Sequence, residues 1–283
     1  MWQKNIETFL GCECTFEEAD TVLFGAPFDS TTSYRPGTRF ASRTMRAESY
    51  GLETYSPYQD KDMEEIHVFD GGDLELPFGN TVRVLEEIEA CTKRILDAEK
   101  RPCMIGGEHL VTLGAARAVY QKYPDLRVIH FDAHTDLREE YLGERLSHAT
   151  VLRRIHDLVG DGKIHQFGIR SGEREEFYWA KEHTDLHKFS FDGLKEAIAS
   201  CKGYPVYVTI YLDVLDPSVF PGTGTPEAGG VTFMELLGAI REVAELEIVA
   251  MDVNELSPLL DASGASTAVA CKVLRELLLA VSQ

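Results

Sequence analysis

The sequence predicts an α/β protein, a three-layer α/β/α arrangement around a central, mostly parallel sheet of eight strands. Three observations carry that prediction. Eight short apolar runs recur along the 283 residues. Several are rich in Val, Ile and Phe without polar alternation, which is how strands buried on both faces read. Longer amphipathic stretches separate them, as parallel strands joined by crossing helices require.

Taken in chain order, the first two strands are Val22–Gly25 and Ile66–Phe69. A helix over Thr81–Lys100 follows, with Val84, Leu85, Ile88 and Ile95 at helical spacing. Strands are then expected at Pro102–Ile105, Val128–Phe131, Ile164–Ile169, Leu186–Phe189 and Val206–Leu212. A helix over Thr232–Leu246 opens with Thr232-Phe233-Met234-Glu235, the pattern of a capping box. Its apolar face is Leu236, Leu237, Ile240 and Val243. Ile248–Val253 is the eighth strand. The chain closes on a helical repeat of Val269, Val273, Leu277 and Val281, with Leu274 and Leu278 alongside. No repeat, low-complexity segment or linker interrupts this alternation, so residues 1–283 read as a single domain.

The formal net charge of −19 leaves no basic face to neutralise phosphates. Nucleic acid and anionic membrane surfaces are therefore excluded as expected partners. Such a field draws small cations, although acidity alone also serves solubility. The six cysteines are scattered with no zinc-type CxxC pair, which fits free thiols in a reducing cytosol. The segment from Met1 carries Glu7, Glu13, Glu17 and Glu18 and no apolar core of signal-peptide length. No apolar run is long enough to span a bilayer. A cytoplasmic location is expected.

Ligands of open α/β sheets collect beyond the carboxyl ends of the strands. Directly after the strand ending at Phe131 comes Asp132-Ala133-His134-Thr135-Asp136. Residues two apart point to one side of an extended chain, so Asp132, His134 and Asp136 face one space if the chain curls as the strand ends. Two carboxylates and an imidazole suit a divalent metal such as manganese. The plain alternative is a solvated loop. Upstream, Gly106-Gly107-Glu108-His109 places another imidazole after a strand, with the glycines permitting a tight turn. Downstream, period two puts Thr209, Tyr211 and Asp213 on one face of a buried strand. Asp216, before Pro217, reads as a turn residue. His130 reads as core, and His67, His156, His165, His183 and His187 have no partner motif and take no role.

With these residues in view the chain resembles the ureohydrolases, the arginase and agmatinase family. The likeness runs through Gly25-Ala26-Pro27-Phe28-Asp29, Ser33-Tyr34-Arg35-Pro36-Gly37-Thr38-Arg39-Phe40 and Asp70-Gly71-Gly72-Asp73. It continues through the His109 and Asp132–Asp136 motifs to Pro221-Gly222-Thr223-Gly224-Thr225-Pro226-Glu227-Ala228-Gly229-Gly230. The Arg35-Pro36-Gly37 and Pro226–Gly230 elements look more like agmatinases than arginases. The resemblance implies the arginase-like fold and two Mn2+ ions per subunit. His109, Asp132 and Asp136 match the ligands of one ion, and Asp132, His134 and Asp213 those of the other, with Asp132 shared. It further implies His148 as the active-site histidine, Glu255 as the acid that holds the guanidinium group and Thr225 beside that pocket. His148 also reads plainly as a helix-start residue capped by Ser147. A proton reaches the departing amine from Asp136 or through His148. Relatives form trimers or hexamers, so a homo-oligomer is expected.

One position departs from the family. Where the resemblance implies a second bridging aspartate, two residues before Asp213, this chain has Tyr211. A phenol, with a reference pKa near 10, is uncharged at neutral pH unless a metal deprotonates it, and it offers one oxygen where a carboxylate offers two. Weak or incomplete binding of the metal pair and low activity are expected. Asp and Tyr codons differ by one base and the other matched positions are intact, which favours a recent change over long drift. For the substrate, the acid-rich loop Leu137–Arg145 suits a free ammonium better than a carboxylate, which favours agmatine. Guanidinobutyrate and arginine are rival substrates, and a non-catalytic protein on the ureohydrolase fold is the rival of another class.

Overall fold

A computed structural model describes residues 7–282. The reading of the N-terminal segment rests partly on residues 1–6, outside the described range. The strands are β1 (Thr21–Ala26), β2 (Tyr55–Ser56), β3 (Lys61–Asp62), β4 (Val68–Asp73), β5 (Arg101–Gly106), β6 (Arg127–Phe131), β7 (Ile164–Ile169), β8 (Asp185–Lys188), β9 (Pro205–Tyr211) and β10 (Glu247–Asn254). The helices are α1 (Ala41–Ser49), α2 (Thr81–Asp97), α3 (Val111–Lys122), α4 (Val151–Val159), α5 (Arg174–His183), α6 (Leu194–Cys201), α7 (Phe233–Val243) and α8 (Ala265–Val281).

Eight strands form one sheet in the order β4-β1-β5-β10-β9-β6-β7-β8, while β2 and β3 make a small antiparallel pair. Every pairing within the large sheet is parallel. The fold class stands, with "mostly parallel" tightened to wholly parallel in this sheet. The chain lays β1, β4 and β5 in one half and β6, β7 and β8 in the other. It then fills the middle with β9 and β10.

Two apolar cores sandwich the sheet. Side chains from α1, α6, α7 and α8 build one, and side chains from α2, α3, α4 and α5 build the other. The helix-spaced residues Val84, Leu85, Ile88 and Ile95 are all buried, as are Leu236, Leu237, Ile240 and Val243. Each such side chain contributes about 1.5–3 kcal/mol on burial. The capping box of α7 is present: Glu235 N–H donates to Thr232 Oγ1 at 3.3 Å and Thr232 N–H to Glu235 Oε2 at 2.7 Å. Helix α2 stops at Asp97, short of Lys100, where Glu99 turns left-handed at φ 57°.

The second strand lies later than expected, at Val68–Asp73 rather than Ile66–Phe69. The strand runs on through Asp70 and the glycines because Arg46 of α1 grips both oxygens of Asp70, at 2.8 and 3.0 Å, and also pairs with Asp73. That buried clamp holds acidic backbone in the sheet. The strand expected to reach Leu212 ends at Tyr211, and Leu212–Val214 form a 3-10 turn.

Candidate metal centre and cleft

The C-terminal ends of β5, β10, β9 and β6 lie side by side in the middle of the sheet. His109 follows β5, Glu255 follows β10, Tyr211 and Asp213 close β9, and Asp132, His134 and Asp136 follow β6. The topology thus brings distant segments to one place, as the strand-end argument requires.

His109 Nδ1 lies 2.6 Å from Asp136 Oδ2 and 3.3 Å from Asp132 Oδ2. His134 Nδ1 lies 3.3 Å from Asp132 Oδ1 and 3.1 Å from Asp213 Oδ2. The two oxygens of Asp132 therefore face two different imidazoles. Asp213 Oδ1 accepts from the Ala133 N–H at 3.2 Å, but its buried Oδ2 makes no hydrogen bond despite the nearby ring nitrogen. A buried carboxylate oxygen left without a hydrogen bond beside an imidazole is a place where a cation fits. The donor set of three carboxylates and two imidazoles fits hard to borderline divalent ions.

These groups are buried and strongly coupled. Burial opposes a charge on His109, but Asp132 and Asp136 outweigh it and push the imidazole up to about 10. Asp213 is pushed up, to about 7, by burial and then by Asp132. A cation bound among these groups would take the place of the protons that the carboxylates hold on the imidazoles.

Tyr211 is the exception among them. Its ring lies 4.2 Å from that of His109 and 6.5 Å from that of His134, centroid to centroid. The phenol is buried, and its pKa is pushed well above the ordinary value by burial and then by Glu255, Asp136, Asp132 and Asp213. Without a cation the hydroxyl stays protonated.

Glu255 is buried, with φ 70°, and its Oε1 accepts from the His109 N–H at 3.2 Å. Its own N–H donates to Gly107 O at 3.0 Å. Burial raises its pKa well above the carboxylate range, against the lowering contact with Tyr211. His148 stands on a 3-10 turn, His148–Thr150, capped by Ser147, as its plain reading has it, and it also lines the cleft. Its N–H donates to Thr31 Oγ1 at 3.0 Å, and its Nε2 is 3.2 Å from Ser33 Oγ. Burial lowers its pKa, which favours neutral imidazole. A cleft of about 220 Å³ opens over the centre, and His134, Asp136, His148, Tyr211 and Thr225 line it. Arg35 fixes the loop of Thr225 by donating to Gly224 O at 3.0 Å and Thr223 O at 2.8 Å. Asp216 is a turn residue, accepting from Gly229 N–H at 2.8 Å and Ser218 N–H at 3.0 Å.

Two expectations need correction. His130 is buried, but it is more than core: its Nε2 is 2.8 Å from Asp132 Oδ2, and it groups with His109 and Asp132 as a set of donors able to hold an ion. Its position two residues before Asp132 on one strand face was the available signal. The loop Leu137–Arg145 gives the cleft Arg138 and Tyr141 rather than its acids, and Glu139 is taken up by Arg145, Arg153 and Arg154. Glu173, 56% exposed and 3.2 Å from Arg138, lines the cleft together with Asp136 and Glu176. Sequence reasoning also missed Glu108, which accepts from Thr31 N–H at 2.8 Å and so ties the His109 turn to the segment beneath His148.

Among the described residues no helix is long and apolar enough to cross a membrane. All six cysteines are free thiols.

A family model described as "Arginase family" matches residues 19–280. An agmatinase of Bacillus anthracis is 50% identical over 277 residues, covering 96% of both chains. An agmatinase of Bacillus subtilis is 48% identical with the same coverage. Among solved structures, the agmatine ureohydrolase of Thermoplasma volcanium superposes with a TM-score of 0.89 at 31% identity, covering 98% of this chain and 95% of that one.

Proposed function

The chain belongs to the arginase family and is a ureohydrolase-type enzyme, and on that premise we propose that it hydrolyses agmatine to putrescine and urea with two Mn2+ ions. Full-length identity near one half to agmatinases supports the substrate. The convergence of His109, Asp132, His134, Asp136 and Asp213 is the observation that carries the metal centre. His109, Asp132 and Asp136 would hold one ion, and Asp132, His134 and Asp213 the other. Bound divalent ions supply a Lewis acid that makes water nucleophilic near neutral pH.

The protein's own groups do the rest. Glu255 accepts charge-assisted hydrogen bonds from the planar guanidinium, whose positive charge offsets the burial that raises this carboxyl. Thr225 lines the cleft, next to Gly224, which lies close to the Glu255 carboxylate. Neutral His148 can take up the proton that the attacking water releases, and Asp136 or His148 then passes that proton to the departing amine. Glu173 at the cleft complements the ammonium at the far end of agmatine.

Tyr211 limits this chemistry. Its ring takes space beside His109, and its neutral hydroxyl withholds one negative charge and one shared donor. The chain as written therefore binds the metal pair incompletely and turns over slowly. The protein acts as one ureohydrolase domain in the cytoplasm, as a trimer or hexamer. A panel of agmatine, guanidinobutyrate and arginine, assayed for urea on Mn2+-loaded protein, tests the substrate. Preference for agmatine is expected, and preference for either carboxylate-bearing compound overturns the assignment. No urea from any of the three, even from the Tyr211→Asp protein, favours a non-catalytic member of the fold.

A further inference from the structure

The geometry points to a second metal site, for a single first-row transition ion such as Zn2+ or Ni2+, built from His156, Asp161 and His183. His156 Nε2 lies 2.7 Å and His183 Nδ1 2.6 Å from the same oxygen, Asp161 Oδ1. The three donor atoms lie within 4.8 Å of one another. Two imidazoles and a carboxylate are the ligand set of borderline ions, and three protein ligands leave a position open to water.

Several features hold the donors in place. His183 stacks on Trp179 with centroids 4.2 Å apart, and Trp179 meets His156 edge-on at 4.6 Å. Asp161 sits between Gly160 and Gly162, both at positive φ, and Gly162 N–H donates to His183 O at 2.9 Å. The carboxylate is thereby pinned to the end of α5. Asp161 is 66% exposed, which gives an ion an entry path. The comparison with Asp185 is instructive. His165 and His187 contact its two different oxygens, so their nitrogens share no focus.

The site joins the last turn of α5 to α4, helices that start beside the cleft, where His148 and Glu173 stand. Binding an ion there clamps the two together at the ends away from the cleft. The plain alternative is a carboxylate that accepts a hydrogen bond from each ring and holds no ion.

Trp179 reports on the site. In the full chain carrying Trp2→Phe, it is the remaining tryptophan. Titration with Ni2+ should quench it saturably at micromolar concentration, with reversal by Zn2+. Asp161→Ala and His183→Ala should each weaken the half-saturation point by at least about tenfold. His134→Ala, which removes a donor from the central cleft, should leave this quenching in place and so separates the two sites. Absence of saturable quenching below millimolar Ni2+, or quenching unchanged in both Asp161→Ala and His183→Ala, overturns the assignment.

Discussion

Glu255 stands at φ 70°, a backbone region that side chains other than glycine occupy at a cost of about 1–3 kcal/mol. The strain is held by the bonds from Glu255 N–H to Gly107 and from His109 N–H to its carboxylate. Those contacts hold the acid against the His109 turn, in contact with Tyr211, which lines the cleft. With the bridging position restored by Tyr211→Asp, adding Glu255→Gln should lower kcat/KM by roughly ten- to a hundredfold, the worth of one hydrogen bond to a charged group. Steady-state urea release checks this. The carboxylates and imidazoles after the strand ends were legible, because ligand spacing and period two survive in one sequence. His130 and Glu108 were not, because their partners, Asp132 and Thr31, become visible as partners only once the chain has curled back on itself.

At the scale of elements, the six inner strands of the sheet were legible because burial on both faces leaves apolar runs, while the edge strands β4 and β8, half-exposed and polar, were legible in place but not in their bounds. Helices were less so. Of α3, most residues are buried, so no polar face marks its period. Gly107 shows how a strand end is built: a Cβ there would collide with the backbone of Phe28. Gly107→Ala should cost about 1–3 kcal/mol by overpacking and displace the turn that carries His109. Urea denaturation reads the first effect and metal content the second. The sheet edge gives a pH signature. Burial opposes charge on His165, but Asp185 and Cys201 together outweigh it and push the imidazole up to about 9. A value raised above that of the unfolded chain stabilises fully below about pH 6.5 and is lost as pH rises through 9. His165→Asn should flatten that decline by on the order of 1 kcal/mol, since Asp185 is 42% exposed and screened. Denaturation midpoints across pH 6–10 check it.

The whole molecule carries a net charge of −19, and its cleft receives a cation in the proposed reaction. Raising ionic strength should therefore raise KM for agmatine several-fold with little change in kcat, since salt screens steering more than chemistry. The proposed metal pair is likewise a property of the whole chain, with donors drawn from the ends of β5, β6 and β9. Its weak point is the tyrosine. The most direct measurement is manganese content per chain alongside urea release from agmatine, on this protein and on Tyr211→Asp. The restored carboxylate should bring bound manganese close to two ions and raise turnover by roughly two orders of magnitude, the scale of transition-state electrostatics at such sites. Equal manganese and equal turnover in the two proteins would contradict the account.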